Sequence, residues 1–266
     1  MTLRRLAAAA FLVTAFVGCS PDAPAADSQP SAPVEGPGYV QVGKFPHDPG
    51  AFTQGLEFRG TALFEGTGLE GRSSLRRVDL GTGEVLRQVN LADRHFGEGI
   101  TIRGRRVYQL TWQSGRCFVY DRRTFKRVGR FSYEGEGWGL THHDGLLIMS
   151  DGSATLRFRD PATFEVVDEI QVTDDGEPVT FLNELEWVEG EIFANVWQTD
   201  DVVRIDPETG DVVGRLDLTA LRQQEDAEGP HDVTNGIAYM RAEDRLFVTG
   251  KFWRNVYEIE LTDLVP

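Results

Sequence analysis

Five short phrases, spaced almost evenly along the chain, constrain its fold more than any other feature. They read Gln54-Gly55-Leu56, Glu98-Gly99-Ile100, Trp138-Gly139-Leu140, Asn183-Glu184-Leu185 and Asn235-Gly236-Ile237, and each opens a run of alternating apolar and polar residues. Their last residues, 56, 100, 140, 185 and 237, lie 44, 40, 45 and 52 residues apart. That is the period of a four-stranded β-blade rather than of a helical repeat. A second motif recurs in phase with the first: Val78-Asp79-Leu80-Gly81-Thr82-Gly83, Tyr120-Asp121-Arg122-Arg123-Thr124, Arg159-Asp160-Pro161-Ala162-Thr163 and Ile205-Asp206-Pro207-Glu208-Thr209-Gly210 are one turn chemistry. The fifth copy stops at Val256–Leu261 without its last strand, while Tyr39–Phe45 is a spare strand ahead of the first. Pairing the two leaves no open sheet edge. The expectation is an all-β, five-bladed β-propeller closed by its own ends; an open β-sandwich accounts poorly for five copies in phase.

The front of the chain has a different character. Met1–Arg5 is basic and Leu6–Gly18 largely apolar, a run of the length of a signal-peptide core and too short to span a bilayer. Val17-Gly18-Cys19 resembles a bacterial lipoprotein signal, which implies lipidation of Cys19; Phe16 is unusual there, and ordinary secretory cleavage is the other reading. The expected layout is a leader over 1–19, a Pro/Ala/Ser tether over 20–37 and the propeller over 38–266. The protein is then exported, as a periplasmic or cell-envelope lipoprotein or as a soluble secreted protein, and touches membrane only through a lipid on Cys19. With Cys19 modified, Cys117 is the sole remaining thiol and reads as a packed core residue. A net charge of −15 argues against nucleic acid as a partner.

In a propeller the innermost strands line a central channel, and ligands bind at its mouth. Alignment of the copies puts Gln54, Glu98, Trp138, Asn183 and Asn235 in one ring. The ends of the second strands put Trp112, Asp151, Trp197 and Lys251 in another, the first blade aligning less well. Structural positions repeat from copy to copy, whereas these positions vary, as residues of a site grafted on a scaffold do. A carboxylate among tryptophan faces has its pKa pushed up, with a nearby lysine opposing the shift, and can exchange a proton near neutral pH. His142 and His143 are adjacent on a strand and face opposite ways, so they do not share a metal ion.

Taken in order, Phe52-Thr53-Gln54-Gly55-Leu56, Thr67-Gly68-Leu69, Phe96-Gly97-Glu98-Gly99-Ile100, Leu110-Thr111-Trp112, Gly137-Trp138-Gly139-Leu140, Ser150-Asp151-Gly152-Ser153, Asn183-Glu184-Leu185-Glu186-Trp187, Asn195-Val196-Trp197 and Asn235-Gly236-Ile237-Ala238 with Gly250-Lys251-Phe252-Trp253 resemble the plant and bacterial glutaminyl-peptide cyclotransferases. The resemblance runs over residues 39 to 261. It implies a five-bladed propeller that converts N-terminal glutamine of peptides or proteins to pyroglutamate with release of ammonia. It implies Glu98 as the acid/base group, with Lys251, Asn183 and Gln54 holding the amide oxygen, and Phe52, Phe96, Trp112, Trp138 and Trp197 as pocket walls beside Asp151 and Asn235. No cofactor or catalytic metal is expected, a structural divalent cation in the channel stays open, and a monomer is the default. Two rival classes have motifs to match. A metal-dependent lactonase would use Glu98, Asn183, Asn235 and Asp151 as ligands, against which stand five copies in place of six and Lys251 at the same mouth. A non-enzymatic peptide-binding propeller would use the tryptophans alone.

Overall fold

The computed structural model describes residues 34–225, 229 and 231–262; the leader, Cys19 and the tether as far as residue 33 lie outside the described residues. Four antiparallel four-stranded sheets follow one another as blades over residues 53–90, 97–132, 140–171 and 182–217. The fifth blade joins both ends of the chain. Strands Thr234–Met240, Arg245–Gly250 and Asn255–Leu261 are completed by Tyr39–Pro46, whose ladder runs from Tyr39↔Leu261 to Pro46↔Asn255. The expected five-bladed propeller with shared ends is therefore the fold. A short strand, Glu35–Gly36, pairs with Tyr39–Val40 just ahead of residue 38. The long fourth step has its cause in a short helix, Thr219–Arg222, and a 3-10 turn, Gln223–Glu225, between blades 4 and 5.

The recurring Asp is a turn device. Asp79 Oδ1 accepts from the N–H of Thr82, Asp121 Oδ1 from Thr124, Asp160 Oδ1 from Thr163 and Asp206 Oδ1 from Thr209, which folds the third strand of each blade back on the fourth. Next along the turn, Gly83 and Gly210 adopt positive φ in two copies, while Phe125 and Phe164 do so in the others and bury their rings.

Five apolar clusters fill the five wedges between blades. Phe64 and Leu75 of blade 1 meet Ile100 and Phe118 of blade 2; Leu110 and Cys117 meet Leu140 and Leu147; Ile148 meets Leu185 and Ile192; Phe193 meets Ile237 and Val248; Phe247 and Val256 close against Leu56 and Phe58. Each large side chain contributes about 1.5–3 kcal/mol by leaving water. Cys117 is fully buried, with its thiol pKa pushed up by burial, in keeping with a packing role. At the channel the inner strands converge, and the phrase glycine permits it. A Cβ on Gly139 would lie 1.9 Å from Asn183 O, and one on Gly55 2.5 Å from Ile100 N. In the fourth copy Glu184 takes the glycine position, and its carboxylate accepts from Leu56 N and Ile237 N on blades 1 and 5.

Candidate active site

Four of the five ring residues are aimed by the same distortion. The ladder between first and second strands slips at Thr53/Gly55, Gly97/Ile100, Leu182/Leu185 and Thr234/Ile237, so a β-bulge falls on Gln54, Glu98, Asn183 and Asn235. A bulge re-aims a side chain that regular alternation would bury in the sheet. The second ring is fixed by a recurring backbone bond, in which the residue just past the second strand donates to the carbonyl two before the bulge: Gly68 to Phe52, Trp112 to Phe96, Trp197 to Phe181 and Lys251 to Val233. Gly68 occupies this place in blade 1, where a Cβ would strike Phe96 at 2.3 Å.

These elements enclose a cavity of about 270 Å3, near the lower end of the range of small-molecule pockets. Phe52, Phe96, Trp112, Trp138 and Trp197 form its walls, and Glu98, Asn183, His231 and Lys251 are its polar groups. The rings support one another: Phe52 meets Phe96 at 5.8 Å, Phe96 meets Trp112 at 5.6 Å and Trp138 meets Trp197 at 5.5 Å, all near edge-to-face. Trp112 stands at the rim, 37% exposed.

Glu98 and Lys251 are each 4% exposed. Burial pushes the Glu98 carboxyl well above the usual carboxylate range, Lys251 opposes the shift, Glu136 adds to it, and a hydrogen bond from Gln54 opposes it. Burial likewise lowers Lys251 to about 8, with Glu98 pulling the other way. The ammonium lies over the Phe52 ring at 4.8 Å. Both groups are thus brought toward the pH range in which protons are exchanged at low cost. Asn183 lines the cavity and is buried, and its Oδ1 has no hydrogen-bond partner, so a buried polar atom beside the cavity is left unsatisfied.

Three expected residues take other places. Gln54 is not part of the cavity wall but acts on it from behind: it hydrogen-bonds Glu98, while its own Oε1 accepts from Asn235 Nδ2 at 3.1 Å. Asn235 is fully buried and also donates to Thr53 O at 2.9 Å, so it holds Gln54 and does not reach the cavity. Asp151 is turned away altogether, since Arg157 captures its carboxylate and Ser153 donates to it. Three residues were missed. Leu69, with φ of 79°, and His231 line the cavity. Glu136 lies behind it, accepting from the indole N–H of Trp112 at 2.6 Å and of Trp138 at 2.9 Å through one oxygen, and from Gln113 through the other. The histidines of blade 3 separate as expected, His142 bonding Thr101 while His143 stacks on Trp187.

The sequence model of the glutamine cyclotransferase family matches residues 11–261. A glutaminyl-peptide cyclotransferase of Arabidopsis thaliana is 44% identical over 224 residues, 83% of this chain and 70% of that one. The crystal structure of Myxococcus xanthus glutaminyl cyclase superposes with a TM-score of 0.80 at 39% identity, over 84% of this chain and 96% of that one. The propeller domain of Myceliophteria thermophila Cps50 (Swd1), at a TM-score of 0.50 and 11% identity over 84% of this chain and 100% of its own, shares the fold alone. With a family match from residue 11 to 261, a relative at 44% identity and the same five-bladed frame, the chain belongs to the glutamine cyclotransferase family.

Proposed function

We propose that the protein is a glutaminyl-peptide cyclotransferase in which Glu98 carries the proton between nucleophile and leaving group. The observation that bears most weight is the buried, proton-affine Glu98 carboxyl set against Lys251 in a small aromatic cavity. The free α-amine of the substrate attacks its own side-chain carbonyl carbon, closing a five-membered lactam. An N–H proton passes to Glu98, which returns it to the departing amide nitrogen as that C–N bond breaks, so ammonia leaves and Glu98 is regenerated. Lys251 lies where it can balance negative charge on the amide oxygen, and the Asn183 amide is complementary to the carboxamide of glutamine. The aromatic walls hold the chain end curled for attack and keep water out.

None of these steps calls on a cofactor. The lactonase reading is weakened, since Arg157 holds the Asp151 carboxylate and neither Asp151 nor Asn235 lines the cavity with Glu98 and Asn183. Ammonia release from a short peptide with N-terminal glutamine, measured on the whole chain with and without a strong chelator, tests the reading. Activity that survives chelation and falls at least a hundredfold in Glu98→Gln, with folding intact, is expected; retained activity in the variant would sink the shuttle, and peptide binding without ammonia would identify a binding propeller. The reading extends to a monomer held at the cell envelope by a lipid on Cys19, which incorporation of labelled fatty acid, lost in Cys19→Ala, would test.

A further inference from the structure

A second cavity, of about 370 Å3, lies against the outer half of blade 2. Its charge is the reverse of the chain's. Four arginines line it, Arg94, Arg116, Arg127 and Arg130, with His95 and Ser114 between them and no carboxylate. The whole chain carries 42 acidic residues against 27 basic ones, so a cavity of this sign is an exception. Two of the arginines meet neutral groups: Arg116 donates to Ser132 Oγ at 2.6 Å and to Gly115 O at 3.3 Å, and Arg127 lies 5.1 Å over the Phe118 ring. His95 is buried, with Nδ1 engaged by Ser114 Oγ at 2.9 Å. Burial and then the charges of Arg94, Arg116 and Arg127 hold its pKa below the ordinary histidine range, which shows their fields converging on the same place.

The position is as informative as the charge. His95 directly precedes Phe96, and Ser114 stands two residues after Trp112, the two rings that wall the first cavity on this side. Neighbouring Cα atoms are about 3.8 Å apart and an extended peptide advances about 3.3–3.6 Å per residue. A chain whose first residue fills the first cavity and runs out past Trp112 therefore passes the arginines within a few residues.

We propose that the arginine cavity is an anion subsite for the substrate peptide, taking a carboxylate side chain carried a few residues beyond the N-terminal glutamine. The proposal rests on the cyclotransferase reading above. Guanidinium groups suit the task because their forked donors match a carboxylate in two bonds. Partly exposed pairs of this kind each contribute modestly, so the subsite favours acidic substrates without excluding others.

The test compares three C-terminally amidated peptides on the full chain: Gln-Ala-Ala-Ala-Ala, Gln-Ala-Glu-Glu-Ala and Gln-Ala-Lys-Lys-Ala. The acidic peptide is expected to show a KM roughly three- to tenfold below the neutral one at unchanged kcat, as one or two exposed ion pairs imply. Added salt should narrow the gap. The double variant Arg127→Ser/Arg130→Ser should abolish it while turning over the neutral peptide as before, which also reports that the variant is folded. Equal KM for the three peptides, or an acidic preference that survives in the variant, overturns the subsite. Absence of ammonia from every peptide overturns the cyclotransferase reading, and the subsite with it.

Discussion

Glu136 sets two properties of the site at once. Through one oxygen it fixes the indoles of Trp112 and Trp138, and its charge adds to the upward shift of Glu98. Glu136→Gln removes that charge, so Glu98 ionises at lower pH and the acid limb of kcat/KM moves toward acid. Weakened anchoring of the indoles should raise KM roughly fivefold, the size of about 1 kcal/mol. A pH profile that does not move would show that the carboxylate only holds the rings. Much of the site could be read from the repeats, because Glu98, Asn183, Trp112 and Lys251 interrupt an otherwise regular pattern. Glu136 was missed although the repeat marks it: it stands two residues before the third phrase, where the other copies carry Phe52, Phe96, Phe181 and Val233, a lone carboxylate among apolar residues. Asp151 shows the opposite failure: it has the register of Trp112 and Lys251, but Arg157, six residues on, turns it aside.

At the scale of the element, the inner strands pack so closely that one methyl group decides the outcome. Gly139→Ala would set a Cβ against the backbone carbonyl of Asn183, which no rotamer change relieves. A loss of about 1–3 kcal/mol is expected, some 2–4 °C in Tm for each kcal/mol, together with reduced turnover as the Asn183 bulge shifts. Gly81→Ala, whose nearest atom would be Asp79 Oδ1 at 3.4 Å, should stay within about 0.5 kcal/mol. Thermal melts of the two variants check this. The recurrence of glycine was visible in the sequence. The bulges were not, because a bulge adds one residue to one strand and leaves the alternation beyond it intact; nor were Phe125 and Phe164 at positive φ, where burial of the ring offsets a backbone strain that composition would assign to glycine.

At the scale of the whole molecule, a buried charge pair ties the first blade to the closing one. His47 Nε2 meets Glu65 Oε1 at 3.0 Å and its Nδ1 donates to Trp253 O at 2.8 Å, so both ring nitrogens face acceptors and the imidazolium is the form that fits. Burial works against the charged ring, yet the Glu65 carboxylate raises the His47 pKa; burial would raise Glu65, yet His47 and Arg76 hold it low. The His47 contribution is therefore complete below its unfolded value near 6.5 and is lost as pH rises through the raised folded value, while that of Glu65 is present above its ordinary range and lost as pH falls through the lowered one. Urea unfolding should show the stability of Glu65→Gln reduced by about 3–5 kcal/mol, with the alkaline decline of the wild type flattened. Closure of the ring was legible because the spare strand at one end matched the missing strand at the other. The His47–Glu65 pair was not, since nothing local relates two residues of different blades. The first and last strands of the described propeller lie side by side, Thr262 N donating to Gly38 O at 3.1 Å. The order in which the blades are written along the chain is thus arbitrary to the folded ring: a short link across that gap, with new ends cut in an exposed turn such as Arg122–Thr124, should give a circular permutant that retains activity. The clasp would then move to blade 2, and the strand that is translated last would be a different one.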